Sequence, residues 1–129
     1  MTDEKEKSEP MDFYNLTPPE FERLVADLFS QADYSDVRLV GGPMDQGVDI
    51  IATKNGEPVA IQVKHKTRLP VQELQRFADH YFANPKAPRS LIFVTSAEIP
   101  RGAARQIEHL PEGAHFQVMD RRGARGVTS

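Results

Sequence analysis

Two short apolar segments joined by an Asn-Gly dipeptide constrain the fold of this chain more than any other feature. The segments cover residues 48–53 and 58–65, and both are predicted as strands. Asn55-Gly56 lies between them, and this dipeptide is preferred in tight β-hairpins because both residues tolerate a positive φ. We therefore expect an antiparallel hairpin and a fold built around a sheet.

Three polar side chains interrupt these apolar strands at positions that the pairing would bring together. Strand side chains alternate between the two faces, so Gln62 and Lys64 project from the same face. Asp49 lies on the partner strand and joins them once the hairpin forms. A carboxylate, an amide and an ammonium are unusual in a sheet core, but they suit a divalent metal ion and a phosphodiester.

A helix is predicted before the hairpin, with its N-terminus at Thr17. Thr17 can cap the helix, Pro18 suits the first helical position, and Glu20 completes a capping box. We expect the helix to end near residues 31–34. At about 100° per residue, Glu22 falls at the rim of the buried stripe, so its carboxylate can reach a site at the sheet edge. The apolar positions that define this stripe are Phe21, Leu24, Val25, Leu28 and Phe29.

The remaining segments extend the hairpin into an α/β fold. The predicted order is α-β-β-β-α-β-α-β, which implies an α/β (α+β) mixed sheet flanked by helices. The nearly continuous apolar run at residues 90–95 is expected for a strand that is covered on both faces. The other predicted elements are strands at residues 37–40 and 115–119, a helix opened by Pro70, and a helix over residues 101–110.

With 129 residues, the chain is long enough for one domain with a hydrophobic core. We expect a flexible charged tail at residues 1–10, the folded domain at residues 11–120 and a basic C-terminal tail at residues 121–129. No apolar run has the length of a membrane span, and a signal peptide is not apparent, so a cytoplasmic protein is expected. Because Cys is absent, any metal ion must be held by oxygen or imidazole.

The net charge of −3 conceals an uneven distribution. Residues 1–36 carry ten acidic and three basic side chains, about −7, whereas residues 37–129 carry nine acidic and thirteen basic ones, about +4. A local positive face can bind phosphates although the total charge is negative. The side chains near the hairpin that are candidate DNA contacts are Gln46, His65, Lys66 and Arg68.

Hydrolysis of a phosphodiester requires groups of the kind found at this hairpin. Mg²⁺, for which Mn²⁺ can substitute, takes hard oxygen ligands and retains several waters. Asp49 would be the principal ligand, with the side-chain oxygen of Gln62 and the carbonyl of Val63 as weaker ones. Glu22 would bind directly or through water. Lys64 would orient or activate the attacking water, or stabilise the transition state as a fixed positive charge.

Several longer stretches of the chain resemble, in their sequence, those of a known protein family. They are residues 17–25, 42–51, 61–64 and 91–96, with Ala103-Ala104. Together they resemble the catalytic domain of Mrr-type restriction endonucleases, within the PD-(D/E)xK nuclease superfamily, over roughly residues 13–120. The resemblance implies a restriction-endonuclease-like core, with helices flanking a central sheet, and a Mg-dependent deoxyribonuclease.

The motif of that family matches this sequence residue by residue. Asp49 corresponds to its aspartate, Gln62 to the middle position and Lys64 to its lysine. Glu22 matches the glutamate of the first helix. Gln62 stands where the superfamily more usually has Asp or Glu; this variant is common in Mrr-like domains, and it leaves fewer negative charges for the metal ion.

We therefore predict a metal-dependent endonuclease that hydrolyses DNA in defence or DNA processing. Restriction enzymes of this type usually join the catalytic domain to a DNA-recognition domain, for which this chain has no room. Sequence specificity would then come from a separate recognition subunit or a homodimer, or be absent. Two alternatives remain open: a Holliday-junction-resolvase-like nuclease acting on branched DNA, and a non-catalytic module that retains the fold and binds DNA or a protein.

Overall fold

The computed structural model describes residues 15–40, 47–100, 102–103 and 106–120, and the backbone of residues 123–128. This part of the chain forms an α/β structure in which two helices flank one mixed sheet of six strands. The strands lie in the order β1-β2-β3-β4-β5-β6. The elements are α1 (Pro18–Gln31), β1 (Ser35–Leu39), β2 (Ile50–Lys54), β3 (Glu57–Lys64), α2 (Val71–Phe82), β4 (Ser90–Thr95), β5 (His115–Asp120) and β6 (Gly123–Thr128).

The predicted hairpin is confirmed and forms part of the antiparallel half of the sheet. β2 pairs with β3 from Ile50 opposite Ile61 to the turn. In the turn, Asn55 and Gly56 have φ values of 53° and 81°, the positive values that a two-residue type I′ turn requires. β1 pairs antiparallel with β2, whereas β3, β4 and β5 are mutually parallel. The lysine end of β3 therefore lies beside the carboxyl ends of β4 and β5.

Helix α1 covers one face of the sheet and begins with the predicted capping box. The Thr17 hydroxyl accepts a hydrogen bond from the Glu20 N–H, and the Glu20 carboxylate accepts one from the Thr17 N–H. Leu28, predicted in the buried stripe, is 55% exposed, while Ala26 is buried. Both differences follow from a rotation of α1 towards Ala26. The same rotation turns Glu22, which shares that side of the helix, towards the sheet.

Helix α2 covers the opposite face, so the sheet has one hydrophobic cluster on each side. Strand β3 shows the alternation that separates them. Ile61 and Val63 belong to the cluster under α1, and Ala60 belongs to the cluster under α2. By the period of two, Gln62 and Lys64 also face α2. Neither helix, nor any other helix in the described residues, is long and apolar enough to cross a membrane.

The helix predicted over residues 101–110 is wrong for the residues of that segment that the structure describes. Residues 102–103 form a turn, Gln106 has a 3₁₀ conformation and residues 107–110 are irregular, so these residues contain no α-helix. The Ala103 N–H donates to the Pro100 carbonyl, a bond that spans three residues instead of four. Gly102 and His109 have φ values of 79° and 64°, in the left-handed region that a right-handed helix excludes. The apolar residues of this segment do pack on the core, but from turns and irregular backbone instead of a helix.

The basic C-terminal tail is also corrected. Residues 123–128 form strand β6, which pairs antiparallel with β5 from Asp120 opposite Gly123 to His115 opposite Thr128. Residues 123–128 run back along β5, so backbone hydrogen bonds hold a segment whose sequence has few apolar residues. The described order is therefore α-β-β-β-α-β-β-β. The predicted tail at residues 1–10 lies outside the described residues.

Candidate active site

Asp49 lies immediately before β2, at the point where the β2–β3 pairing stops. Its N–H donates to the Ile61 carbonyl at 2.9 Å, and its carbonyl accepts from the Val40 N–H at 2.8 Å. Its main chain is therefore held between two neighbouring strands. Its side chain is held as well, because Oδ2 accepts a hydrogen bond of 2.7 Å from the Val63 N–H. One carboxylate oxygen is thus anchored to β3 by the Val63 N–H, which does not engage the other oxygen.

The carbonyl of Val63 is directed to the same side of β3 as Asp49. In an extended strand, the N–H and C=O of one residue point the same way, and the Val63 N–H points at Asp49. The next carbonyl, that of Lys64, points the other way and accepts from the Ser96 N–H at 3.3 Å. The Val63 carbonyl oxygen lies beyond the end of the β2 pairing, beside the Asp49 carboxylate. It is therefore a backbone oxygen that could coordinate a metal ion there.

Glu22 of α1 brings a second carboxyl group close to Asp49, and the two side chains interact electrostatically. Burial raises the pKa of Glu22, and the neighbouring negative charge of Asp49 raises it further. Burial also raises the pKa of Asp49, partly offset by the Val63 N–H, by the contact with Glu22 and by the positive charge of Lys64. A partly buried carboxyl whose pKa is raised further by a neighbouring carboxylate is typical of a site that binds a proton or a cation.

Lys64 and Gln62 approach the site from the α2 side. Lys64 Nζ lies 5.0 Å from the centroid of the Phe77 ring. Gln62 is only 3% exposed, and its amide group packs against Gly47. Gly47 has a φ of +86°, and a Cβ there would lie 2.7 Å from Gln62 Nε2. A glycine at this position is therefore required both by the backbone and by the space that the Gln62 amide occupies.

These residues fit a divalent cation such as Mg²⁺ or Mn²⁺. The parts of the chain that are described contain no cluster of three or more His, Cys, Asp and Glu side chains suited to a metal ion. The carboxylate pair Glu22–Asp49 with the Val63 carbonyl nevertheless offers three hard oxygen donors in one place. Mg²⁺ commonly takes one or two carboxylates and keeps waters in its other positions. A cation would also relieve the repulsion between the two carboxylates.

His65 has a structural role in this molecule. Its Nε2 donates to the Leu16 carbonyl at 2.8 Å, and its Nδ1 lies 2.7 Å from Ser96 Oγ. Its ring stacks on Phe21, with centroids 4.9 Å apart. Both ring nitrogens are engaged, so neither is left to contact a phosphate as the sequence suggested. Because His65 follows Lys64 and Phe21 precedes Glu22, these contacts tie the lysine strand to the glutamate helix.

The other predicted DNA contacts have different surroundings. The Lys66 ammonium forms an ion pair with the Glu73 carboxylate, which neutralises part of its charge. Arg68 is exposed. Gln46 lies outside the described residues. Sequence reasoning missed two residues of α2, Arg76 and His80, which line a cleft beside Lys64. Their spacing of four places them on one helical face, but nothing in the sequence indicated that this face meets the lysine.

Replacing Glu22 with Gln should stabilise the metal-free protein at pH 7. The pKa values of Glu22 and Asp49 are raised from their ordinary values of 4.5 and 3.8. At a pH between the ordinary and the raised pKa, the folded protein therefore binds more protons than the unfolded chain. Stability therefore falls as pH rises through that window. We expect Glu22→Gln to raise Tm by on the order of 2 °C at pH 7 in EDTA, with the gain vanishing near pH 4. Thermal unfolding followed by circular dichroism measures this.

Asp27→Asn is the matched control for that measurement, because Asp27 is an exposed acid on the same helix. It should leave Tm nearly unchanged. Adding Mn²⁺ should stabilise the wild type more than Glu22→Gln. A wild type that is more stable than Glu22→Gln at pH 7 in EDTA would contradict the repulsion between the two carboxylates.

The fold and the motif together define a class. A mixed sheet flanked by two helices, with Asp49 beside one strand and Gln62 and Lys64 on the next, is a restriction-endonuclease-like α/β structure. The family model described as restriction endonuclease, for the Mrr catalytic domain, matches residues 13–122, and the chain belongs to this family. Neither the curated proteins nor the solved structures include a significant match. The family consists of nucleases, and its substrate is DNA.

Proposed function

We propose that this protein is a metal-dependent endonuclease that hydrolyses phosphodiester bonds in DNA. The observation that carries the proposal is the meeting of the Glu22 and Asp49 carboxyls beside the main chain of Val63, next to Lys64. Family membership supplies the nuclease class, and this geometry supports the metal dependence. Mg²⁺ is the proposed cofactor, with Mn²⁺ as a substitute.

Four residues of this chain would hold the cation. Asp49 would contribute the carboxylate oxygen that the Val63 N–H leaves free. Glu22 would bind directly or through water, and the Val63 carbonyl would add a neutral oxygen. Gln62 is proposed as the weakest ligand, because its amide lies on the α2 side, against Gly47. When bound, such a cation lowers the pKa of a coordinated water and neutralises charge on the phosphate.

Lys64 is proposed as the positively charged group that acts on the reacting phosphate. None of the ion pairs among the described residues involves it. Its ammonium lies over the ring of Phe77, close enough to Asp49 to lower the pKa of that carboxyl. It can therefore donate a hydrogen bond to a phosphate oxygen or to the attacking water without first breaking an ion pair. A fixed charge that needs no rearrangement is effective in stabilising the transition state.

The proposal extends to the surroundings of the site. Lys66 and Arg68 follow β3 and are proposed DNA contacts, with Gln46 as a third; His65 is left out because both of its ring nitrogens are engaged. Sequence specificity would depend on a separate recognition subunit or on a homodimer. The proposed setting is defence or DNA processing in the cytoplasm.

A panel of DNA substrates tests this function. Linear duplex, single-stranded, methylated and four-way-junction DNA should be incubated with Mg²⁺, Mn²⁺ or EDTA, and the products resolved on gels. We expect cleavage of at least one substrate with either metal ion and none with EDTA. Paired symmetric nicks confined to the junction would favour the resolvase-like alternative. No cleavage of any substrate, together with no heat of Mn²⁺ binding in calorimetry, would favour the non-catalytic module.

A further inference from the structure

We infer that the cleft between the end of β3 and helix α2 binds a phosphate of the DNA strand next to the scissile one, with Arg76 as its principal contact. This inference rests on the proposed function for its choice of ligand, and it adds a binding subsite to it. The cleft has a volume of about 490 Å³, and Lys64 and Arg76 both line it. Clefts of several hundred Å³ are large enough for a ligand of nucleotide size.

The helix presents one continuous face to this cleft. Glu73, Arg76, Phe77 and His80 all line it, and their spacing of three and four residues places them on one side of α2. The Lys64 ammonium lies over the ring of Phe77, with Nζ 5.0 Å from the ring centroid. A phosphate in the cleft would therefore lie between the proposed catalytic lysine and the exposed edge of the helix. Because Lys64 lines the cleft, a phosphate bound there would be a neighbour of the reacting one.

The charges of the cleft favour an anion. Its acid, Glu73, is already paired with the ammonium of Lys66. The remaining cations, Lys64 and Arg76, take part in none of the ion pairs among the described residues. Arg76 is exposed, so a phosphate can reach it. A guanidinium and an ammonium that line one cleft and have no ion-pair partner in the described part of the chain suit a phosphodiester, because the guanidinium donates two parallel hydrogen bonds and the ammonium adds a point charge.

DNA binding at several salt concentrations tests the inference. The Asp49→Asn protein is used as background, because it prevents metal-dependent cleavage of the probe if the proposed function is right. Fluorescence anisotropy with a labelled duplex gives Kd. We expect Arg76→Ala to weaken binding about tenfold. We also expect it to lower the slope of log K against log salt by about 0.9, the value for one lost phosphate contact on duplex DNA.

Two further variants make the result specific. Lys86→Ala removes an equal charge at the other end of β3, where Lys86 shares a surface with Glu57, and it should leave Kd and slope unchanged. Arg76→Lys keeps the charge and should keep the slope, with a smaller loss of affinity. The inference is overturned if Arg76→Ala binds like its parent, if Lys86→Ala loses as much as Arg76→Ala, or if the parent binds no DNA.

The binding test and the cleavage test fail separately. If no substrate is cleaved but the salt slope falls only in Arg76→Ala, the subsite stands and the proposed catalytic function fails. If DNA is cleaved with Mg²⁺ but Arg76→Ala keeps the parental slope, the function stands and the subsite is wrong. Thermal unfolding of Arg76→Ala should match its parent, because the exposed Arg76 forms none of the ion pairs among the described residues.

Discussion

Asp49→Asn is expected to reduce metal-dependent DNA cleavage by at least about 100-fold, since even residues that only orient a metal ligand cost about 10- to 100-fold when replaced. The asparagine carbonyl can still accept the Val63 N–H bond, so the geometry of the strand ends should be retained. What is lost is the negative charge that the cation requires. Initial rates of plasmid cleavage in Mg²⁺ and in Mn²⁺ measure the effect, and calorimetry should show that Mn²⁺ affinity falls in parallel.

Asp27→Asn serves as the control for this substitution as well, because it removes one exposed carboxylate from α1 without touching the site. Its cleavage rate should stay within about twofold of the wild type, as surface substitutions usually have small effects. Cleavage by Asp49→Asn at the wild-type rate would remove Asp49 from the catalytic centre. It would also argue against a metal site formed by Glu22 and Asp49.

Lys64→Ala is expected to lower the cleavage rate by about 10²- to 10³-fold, the range seen when one donor to a transition-state oxyanion is removed. The ammonium has no ion-pair partner among the described residues, so its loss breaks no ion pair there. Mn²⁺ affinity should change little, because Lys64 is not a proposed ligand. Single-turnover cleavage at saturating metal separates this effect from weaker DNA binding.

Lys66→Ala is the matched control, since Lys66 lies two residues further along and is paired with Glu73. It should affect DNA binding at low salt more than the single-turnover rate. A Lys64→Ala protein that cleaves at the wild-type rate once saturated with DNA would show that Lys64 only binds DNA. If the two variants lost equal amounts of single-turnover rate, general loss of positive charge would explain the result, and no special role for Lys64 would remain.

Much of the fold could be predicted because its determinants are local. The Asn55-Gly56 turn, the Thr17 capping box and the apolar run of β4 each depend on residues within a few positions of one another, and all three are confirmed. The helix predicted over residues 101–110 is wrong for the residues of that segment that the structure describes, because a local pattern can fit more than one structure. Its apolar spacing is also compatible with turns that pack on a core, and only the positive φ values at Gly102 and His109 distinguish the two.

The candidate site was likewise predicted only where local patterns sufficed. From the sequence, strand alternation sufficed to place Gln62 and Lys64 on one face, and the helical wheel placed Glu22 near the rim of α1. The wheel did not show that α1 is rotated, which exposes Leu28 and brings Glu22 to Asp49. That rotation depends on how α1 packs on the sheet, and the pattern of one helix does not contain this information.

By itself, the sequence determined the strands, the turn and the residue types of the site, because side-chain alternation and capping are short-range rules. Only the tertiary structure decided how those residues meet. The Val63 N–H anchors Asp49, His65 spans from the lysine strand to Leu16 across 49 residues of sequence, and Arg76 comes to line the cleft of Lys64. The physical reason is that each of these contacts joins elements whose separation in space is set by packing and not by spacing along the chain.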